Sequence, residues 1–433
     1  MGEKRTKILK RSDHSVSRKN IDRDALYVMQ HLNRNGYKAY LVGGSVRDLI
    51  LGRSPKDFDI STDAEPQQIK RLFRNCFLIG RRFRLAHIRF GRDKIIETST
   101  FRRQPDTNPE DGSLVQWDDN HFGTPVEDAF RRDFTINGLF YDLHDFSVID
   151  HVGGLPDLKR RVIRTIGDPN IRFREDPVRM LRAVRFAGRL GFKMEARTRR
   201  AILKHAPEIT EASPARVLEE LYKLFAMSAS AASFKWLWEL GLMKELLPEV
   251  AEYIKSSGGR KSAVWKSLSV LDGGAHWGGP QHPDLLLAVL LQGPMLQACA
   301  NTPASQCGPA CTDWLEPVAA RFRMPKGVRY RVLRLVENQV RMRHLALADA
   351  TGRRRKSLVR ILEHGSFPES MALLRIRCEA GMEDAAVLGF WEEQEKQDPI
   401  LPRASESAPV VEGGEPVRRP RRRRRRRKPT HEA

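Results

Sequence analysis

Residues 41–48 read Leu41-Val42-Gly43-Gly44-Ser45-Val46-Arg47-Asp48, and Asp57-Phe58-Asp59 follows shortly after. The β-rich run Lys38–Val42, closed by two glycines, predicts a strand ending in a tight turn. Ser45 is placed to N-cap a short helix that stops at Gly52. Phe58–Ser61 predicts a second strand. Alternate strand residues share a face, so Asp57 and Asp59 should project together while Phe58 and Ile60 point into the core. Two carboxylates about 6–7 Å apart repel unless a divalent cation lies between them, and hard oxygen ligands suit Mg²⁺. The Gly43-Gly44 turn allows close backbone approach, and the helix start beyond it offers N–H groups to a phosphate. Arg47 is expected to add a bidentate contact there. An Asp-x-Asp triplet alone is common on solvated strands, and a Gly-Gly turn is commoner. Both on adjacent strands within seventeen residues describe phosphate beside metal.

A third carboxylate would complete a two-metal site. Glu97, on the strand candidate Lys94–Phe101 and on the face opposite Ile96, is one candidate, against its reading as a solvated strand residue. Asp133, in Arg131-Arg132-Asp133-Phe134-Thr135-Ile136-Asn137, is the other; in isolation it would pair with neighbouring arginines.

Around this centre, Asp24–Asn35 and Pro66–Arg74 have helical spacing, and Ala86–Phe90 and Lys94–Phe101 read as strands joined at Gly91. Gln104–Phe122 is a long polar loop, and loops of this length tend to be functional. Phe140–Val152 resembles a hairpin. From Glu175 onward the strand signals stop, and helical periodicity runs through Arg179–Leu190, Ala215–Phe225, Phe234–Leu247, Leu285–Leu291, Val328–His344 and Ser370–Arg377. The expected organisation is a basic, loose arm (1–20), an α+β head (21–165), an all-α neck (166–260) and body (261–398), and a disordered Arg-rich tail (399–433).

The 433 residues carry 76 Lys and Arg against 54 Asp and Glu, a net charge of +22. Ten of the positive charges are Arg418, Arg419, Arg421–Arg427 and Lys428; removing them still leaves about +12 on the rest. A polyanionic partner is the natural expectation. The tail would attract RNA phosphate non-specifically and with steep salt dependence, and RNA-decay or ribosomal partners are open to it. No apolar run is long enough for a membrane span, and no apolar segment follows the basic N-terminus, so a cytoplasmic setting without a membrane partner is expected. Five cysteines make no disulfide framework. Cys299, Cys307 and Cys311 lie close in sequence, and a metal cluster is the alternative, but they fit no zinc spacing, have no His among them, and are read as free thiols.

The ordered set Gly43–Asp48, Asp57–Asp59, Arg131–Asn137 and Glu175-Asp176-Pro177-Val178-Arg179 resembles the motifs of class II nucleotidyltransferases, the family of bacterial poly(A) polymerases and tRNA nucleotidyltransferases (CCA-adding enzymes). The likeness runs from about His14 to Phe225 and more weakly to Cys378. It implies a polymerase-β-like head followed by helical neck and body. It implies a catalytic role for Asp57, Asp59 and Asp133, with Asp57, Asp59 and Glu97 holding Mg²⁺. It also implies nucleotide recognition by Gly43, Gly44, Ser45, Arg47, Arg132, Asn137, Asp176, Arg179 and Arg182.

Asp176 and Arg179, three apart, share a helix face. As a plain helix start, Asp176 caps and Pro177 takes the first position. As a base reader, Asp176 accepts from the adenine amine while Arg179 donates to N1. Cytosine fits the same pair, whereas guanine and uracil leave buried groups unpaired at about 1–3 kcal/mol each. The pair therefore leaves A-only and CCA addition both open. Leu78–His87, the segment around His14–Ile21 and the arginine tail resemble the poly(A) polymerase branch, so the expected activity is addition of AMP from ATP to RNA 3′ ends. A tRNA nucleotidyltransferase is the alternative, and a catalytically inactive RNA-binding protein a second. Arg179, Arg182, Arg185 and Arg189 form a basic stripe on one helix, an RNA-facing candidate beside the apolar stripe Val178, Leu181, Val184 and Ala187. Arg323–Arg343 and Arg353–Lys356 are further basic clusters.

Overall fold

The computed structural model describes residues 6–80, 84–103, 122–274, 283–300, 302, 306–348 and 352–397. The expected loop at 104–121 and the tail beyond 398 lie outside these residues.

Eight strands form one mixed sheet: β1 (Lys7–Leu9), β2 (Ala39–Val42), β3 (Asp59–Thr62), β4 (Cys76–Ile79), β5 (Leu85–Phe90), β6 (Lys94–Thr100), β7 (Leu139–Asp142) and β8 (Val148–Asp150). Their order is β1-β8-β7-β2-β3-β6-β5-β4. The sheet is antiparallel except where β3 runs parallel to β6, with Ile60 opposite Thr98. Parallel neighbours need a crossover, and α3 (Pro66–Leu72) lies in that connection with a Glu65/Gln68 capping box. α1 (Arg23–Arg34) starts on Asp22, whose carboxylate takes the Asp24 and Ala25 N–H groups. It buries Ala25, Val28, Met29 and Leu32 against the sheet face carrying Leu41, Ile60 and Ile88. Each such aliphatic side chain contributes roughly 1.5–3 kcal/mol.

The other face is covered only in part. Across β2 and β7, Val42 and Phe140 pack with Phe101, Ala129, Val152 and Ile166. Across β4, β5 and β6 the described residues leave Phe77, Ile79 and Ile95 about half exposed. The acidic residues lie at the border between these two halves.

The helices past the sheet are α4 (Pro125–Arg131), α5 (Gly154–Arg160), α6 (Pro169–Glu175), α7 (Val178–Leu190), α8 (Ala196–His205) and α9 (Pro214–Leu224); further helices continue to Gln397. One hydrophobic cluster runs from Val16 through α7 and α9 to Ile376, and a smaller one joins Met342, Phe367, Met371 and Trp391.

Three expectations are corrected. Residues 6–20 are not a loose arm: Lys7–Leu9 pairs with Val148–Asp150, and His14 Nε2 lies 2.8 Å from the Phe146 carbonyl, so backbone pairing fixes a segment that composition marks as polar. Strand structure does not stop at Glu175, because Lys193–Met194 pairs in parallel with Val162–Ile163. Ser45 is not the helix cap. α2 (Gly44–Ile50) is entered from Gly43 at φ 72°, and Ser45 Oγ donates back to the Val42 carbonyl at 2.9 Å.

Candidate active site

Val42 faces Asp59 on β3 and Phe140 on β7, and β3 runs beside β6 so that Asp59 comes level with Glu97. On β5, His87 is the partner of Glu97 and of Phe77 on β4. One transverse row therefore carries Phe77, His87, Glu97 and Asp59. Glu97 keeps half of its side chain exposed, with His87 Nε2 3.7 Å away. Asp57 is exposed and sits in the lead-in to β3, not on the strand as expected.

The carboxylates repel one another. Asp59 keeps solvent access, yet its pKa is raised to about 6, by burial of the carboxyl first and then by Glu97; Arg132 opposes the shift and Asp57 adds to it. An acidic group this unfavourable when charged fits a site built to receive a cation. The oxygen donors from Asp57, Asp59 and Glu97 match a hard divalent ion.

Arg132 borders this group. Its Nε and NH2 donate to Asp128 Oδ2 at 3.2 and 2.8 Å, and NH2 also reaches Ser61 Oγ at 3.2 Å. Its guanidinium lies over the Phe140 ring, 5.3 Å from the centroid. NH1 turns to the glycine turn, so closely that a β-carbon on Gly43 would come within 3.1 Å of it. Positive φ and this contact both call for glycine at 43.

Arg47, expected at a phosphate, is turned inward. It is 1% exposed, with Nε on Asp48 at 2.8 Å and NH1 on Asn137 Oδ1 at 2.7 Å. A buried guanidinium must satisfy its donors inside the protein, and Asp48 and Asn137 do that here. Asn137 Nδ2 in turn donates to Asp133 Oδ1 at 3.1 Å, and Arg182 Nε and NH2 meet Asp133 Oδ2 at 2.8 and 2.5 Å. Burial alone would raise the Asp133 pKa; the Arg182 charge and the hydrogen bonds from Asn137, Arg182 and the Phe134 N–H overcome it and hold it at about 2. Asp133 thus faces the neck helix, while the charges acting most strongly on Asp59 are Glu97, Arg132 and Asp57.

The arginine stripe of α7 is likewise not an open RNA face. Arg182 pairs with Asp133, Arg185 Nε lies 3.1 Å from Glu220 of α9, and Arg189 NH2 lies 3.1 Å from Asp48. Sequence spacing identifies the stripe but not its partners, which lie far along the chain. The apolar stripe Val178, Leu181, Val184 and Ala187 is buried as expected.

At the start of α7, Asp176 Oδ1 accepts from the Val178 N–H at 3.3 Å and Oδ2 from Arg216 NH2 at 2.9 Å. Arg179 NH1 donates to Glu175 at 3.0 Å and to the Arg172 carbonyl at 2.9 Å. The expected cap is displaced by one residue: α7 begins at Val178 with Pro177 at the cap position, and both Asp176 oxygens and Arg179 NH1 have partners within the protein. Arg216, His87, Asp128 and Glu220 escaped the sequence reading. Strand alternation could have found His87; nothing in the spacing marks the others. A cavity of about 900 Å³ lies elsewhere, lined by Thr135, Arg164, Arg197, Arg200 and Lys204.

A mixed-sheet head with clustered carboxylates beside a glycine turn, carried on a helical neck, defines a nucleotidyltransferase. The profile described as the poly A polymerase head domain matches residues 39–164, that of the probable RNA and SrmB-binding site of polymerase A matches 191–254, and that of the polymerase A arginine-rich C-terminus matches 301–429. Poly(A) polymerase I of Escherichia coli is 40% identical over 391 residues, covering 86% of this chain and 82% of that one. The CCA-adding enzyme of Geobacillus thermodenitrificans is 37% identical over 246 residues, 56% of this chain and 58% of its own. The Thermotoga maritima CCA-adding enzyme complexed with tRNA shares the fold, with a TM-score of 0.59 at 21% identity over 92% of this chain and 88% of that chain. The chain belongs to the bacterial poly(A) polymerase family, related to the CCA-adding enzymes, and is a polynucleotide adenylyltransferase.

Proposed function

We propose that this enzyme adds AMP from ATP to RNA 3′ ends without a template, with Mg²⁺ held by Asp57, Asp59 and Glu97. The observation that carries the reading is the level placement of Asp59 and Glu97 on parallel neighbours, beside Arg132 and the Gly43 turn. A bound divalent ion would supply charge neutralisation at the reacting phosphate and make the RNA hydroxyl more acidic. The 3′ oxygen attacks the α-phosphorus, the bond from that phosphorus to the bridging oxygen breaks, and pyrophosphate leaves with its electron pair. The hydroxyl proton passes to solvent.

The chain's own residues bind and orient. Arg132, anchored by Asp128, presents NH1 at the turn where triphosphate oxygens approach. Arg47, Asn137 and Asp133 act as positioning residues, holding the turn against α7. Asp176 and Arg179 read the base by accepting from an exocyclic amine and donating to a ring nitrogen, and Arg216 keeps the Asp176 carboxylate oriented. This pairing rejects guanine and uracil; the choice of adenine over cytosine is supported by the 40% identity to a poly(A) polymerase over most of the chain.

The test is extension of end-labelled generic RNA, and of tRNA lacking its CCA end, with each nucleoside triphosphate singly. Long A ladders on generic RNA support the reading. Addition restricted to C and A on the truncated tRNA would replace it with CCA addition.

A further inference from the structure

The helix Pro283–Ala298 ends one residue before Cys299, and the helix Cys307–Arg321 begins at Cys307 and carries Cys311 one turn on. All three thiols are buried, and their sulfurs lie within 4.8 Å of one another. Cys299 Sγ is 3.1 Å from Cys311 Sγ, and Cys307 Sγ is 3.9 Å from Cys311 Sγ. We propose that Cys299, Cys307 and Cys311 form a structural site for a thiophilic d¹⁰ cation that clips these two helices of the body together.

Ligand set, spacing, charge and access all support it. Three sulfurs bound to one ion at zinc–thiolate distance would stand about 3.8 Å apart, so the cluster needs shifts below about 1 Å. Soft thiolate ligands select zinc or monovalent copper over the hard Mg²⁺ of the carboxylate site. Cys307 occupies the first position of a fifteen-residue helix, where the dipole favours thiolate. A cavity of about 370 Å³ opens onto Cys299 and Cys307 and is also lined by Arg343 and Arg377, both paired with Glu383, giving an entry path. Binding displaces the thiol protons to solvent and leaves the sulfur oxidation state unchanged. The arrangement does not depend on the adenylyltransferase reading, since none of the three cysteines belongs to that site.

The experiment uses the full chain, purified under reduction, stripped of metal and titrated separately with Zn²⁺ and Cu⁺. The expected result is one ion per chain, with three of the five thiols protected from a chromogenic disulfide reagent and released by a chelator. Co²⁺ in place of zinc should give intense sulfur-to-metal charge-transfer bands. Cys307→Ser and Cys311→Ser should each weaken binding at least tenfold. Thiols equally reactive with and without metal, or an oxidised cysteine pair that takes up no metal, would overturn the proposal. The wild-type protection assay decides it even where a serine variant fails to fold.

Discussion

Asp133 and Arg182 meet across the seam between head and neck, with Oδ2 2.5 Å from NH2 and 2.8 Å from Nε. Asp133 belongs to the sheet side, Arg182 to the middle of α7, and their ion pair continues through Asn137 to Arg47 and Asp48. Removing one partner of a buried pair strands the other, at a cost of about 3–5 kcal/mol. Arg182 keeps a third of its side chain exposed, so Asp133→Ala should fall at or below the low end, near 3 kcal/mol. Chemical denaturation measures this directly. The pH dependence follows from a folded pKa lowered to about 2: the stabilisation is full above about pH 4 and is lost as pH falls toward 2. Acid unfolding of the wild type should therefore be shifted in the alanine variant; identical acid profiles would contradict the pairing.

Asp59 works in the opposite sense. Its pKa is raised to about 6, so the folded chain tolerates the neutral acid better than the charged one. The advantage exists at low pH and disappears as pH rises through about 6. Asp59→Asn should raise the melting temperature in chelator most at pH 8, less at pH 5, and hardly at all below about pH 4, the ordinary aspartate range. The same variant, and Asp57→Ala, should lose roughly a thousandfold in AMP incorporation, matching several kcal/mol of lost charge stabilisation. RNA binding by filter retention should persist. A variant that still turns over near normally removes the metal assignment.

Gly43→Ala combines a left-handed backbone cost of about 1–2 kcal/mol with a contact on Arg132 NH1. Melting should show the first effect. Steady-state kinetics should show the second as a raised KM for ATP, with RNA affinity unchanged.

Deleting residues 416–433 removes ten positive charges from the arginine run. RNA affinity at low salt should fall, and the dependence of binding on salt should become shallower. Far-ultraviolet circular dichroism of the remaining chain should be unchanged. An unaltered salt slope would assign the run to something other than phosphate.

Local pattern carried the strands around Gly43 and Asp59, the α1 and α7 faces and the hairpin after Phe140, because burial of alternate or helically spaced residues is written in sequence. The transverse row of Phe77, His87, Glu97 and Asp59 was legible only in part: Asp59 and Glu97 were singled out, but strand order and the parallel β3–β6 register are set by tertiary packing. The destinations of the arginines were hidden for the same reason. Arg47 and Arg182 read as contacts for nucleotide or RNA, and both meet carboxylates or amides brought close by folding, Asn137 and Asp48 for one and Asp133 for the other. Alternation alone puts Asp57 on the strand with Asp59, whereas pairing begins only at Asp59, two residues further on.

The chain of buried polar contacts from Asp48 to Glu220 has a practical bearing on how this enzyme can be dissected. A fragment cut after the sheet would leave Asp133 without Arg182 and Asp48 without Arg189. Chimeras made with relatives must transplant α7 and α9 together with the head, because the smallest interchangeable cassette ends beyond Leu224, well past the last strand of the large sheet.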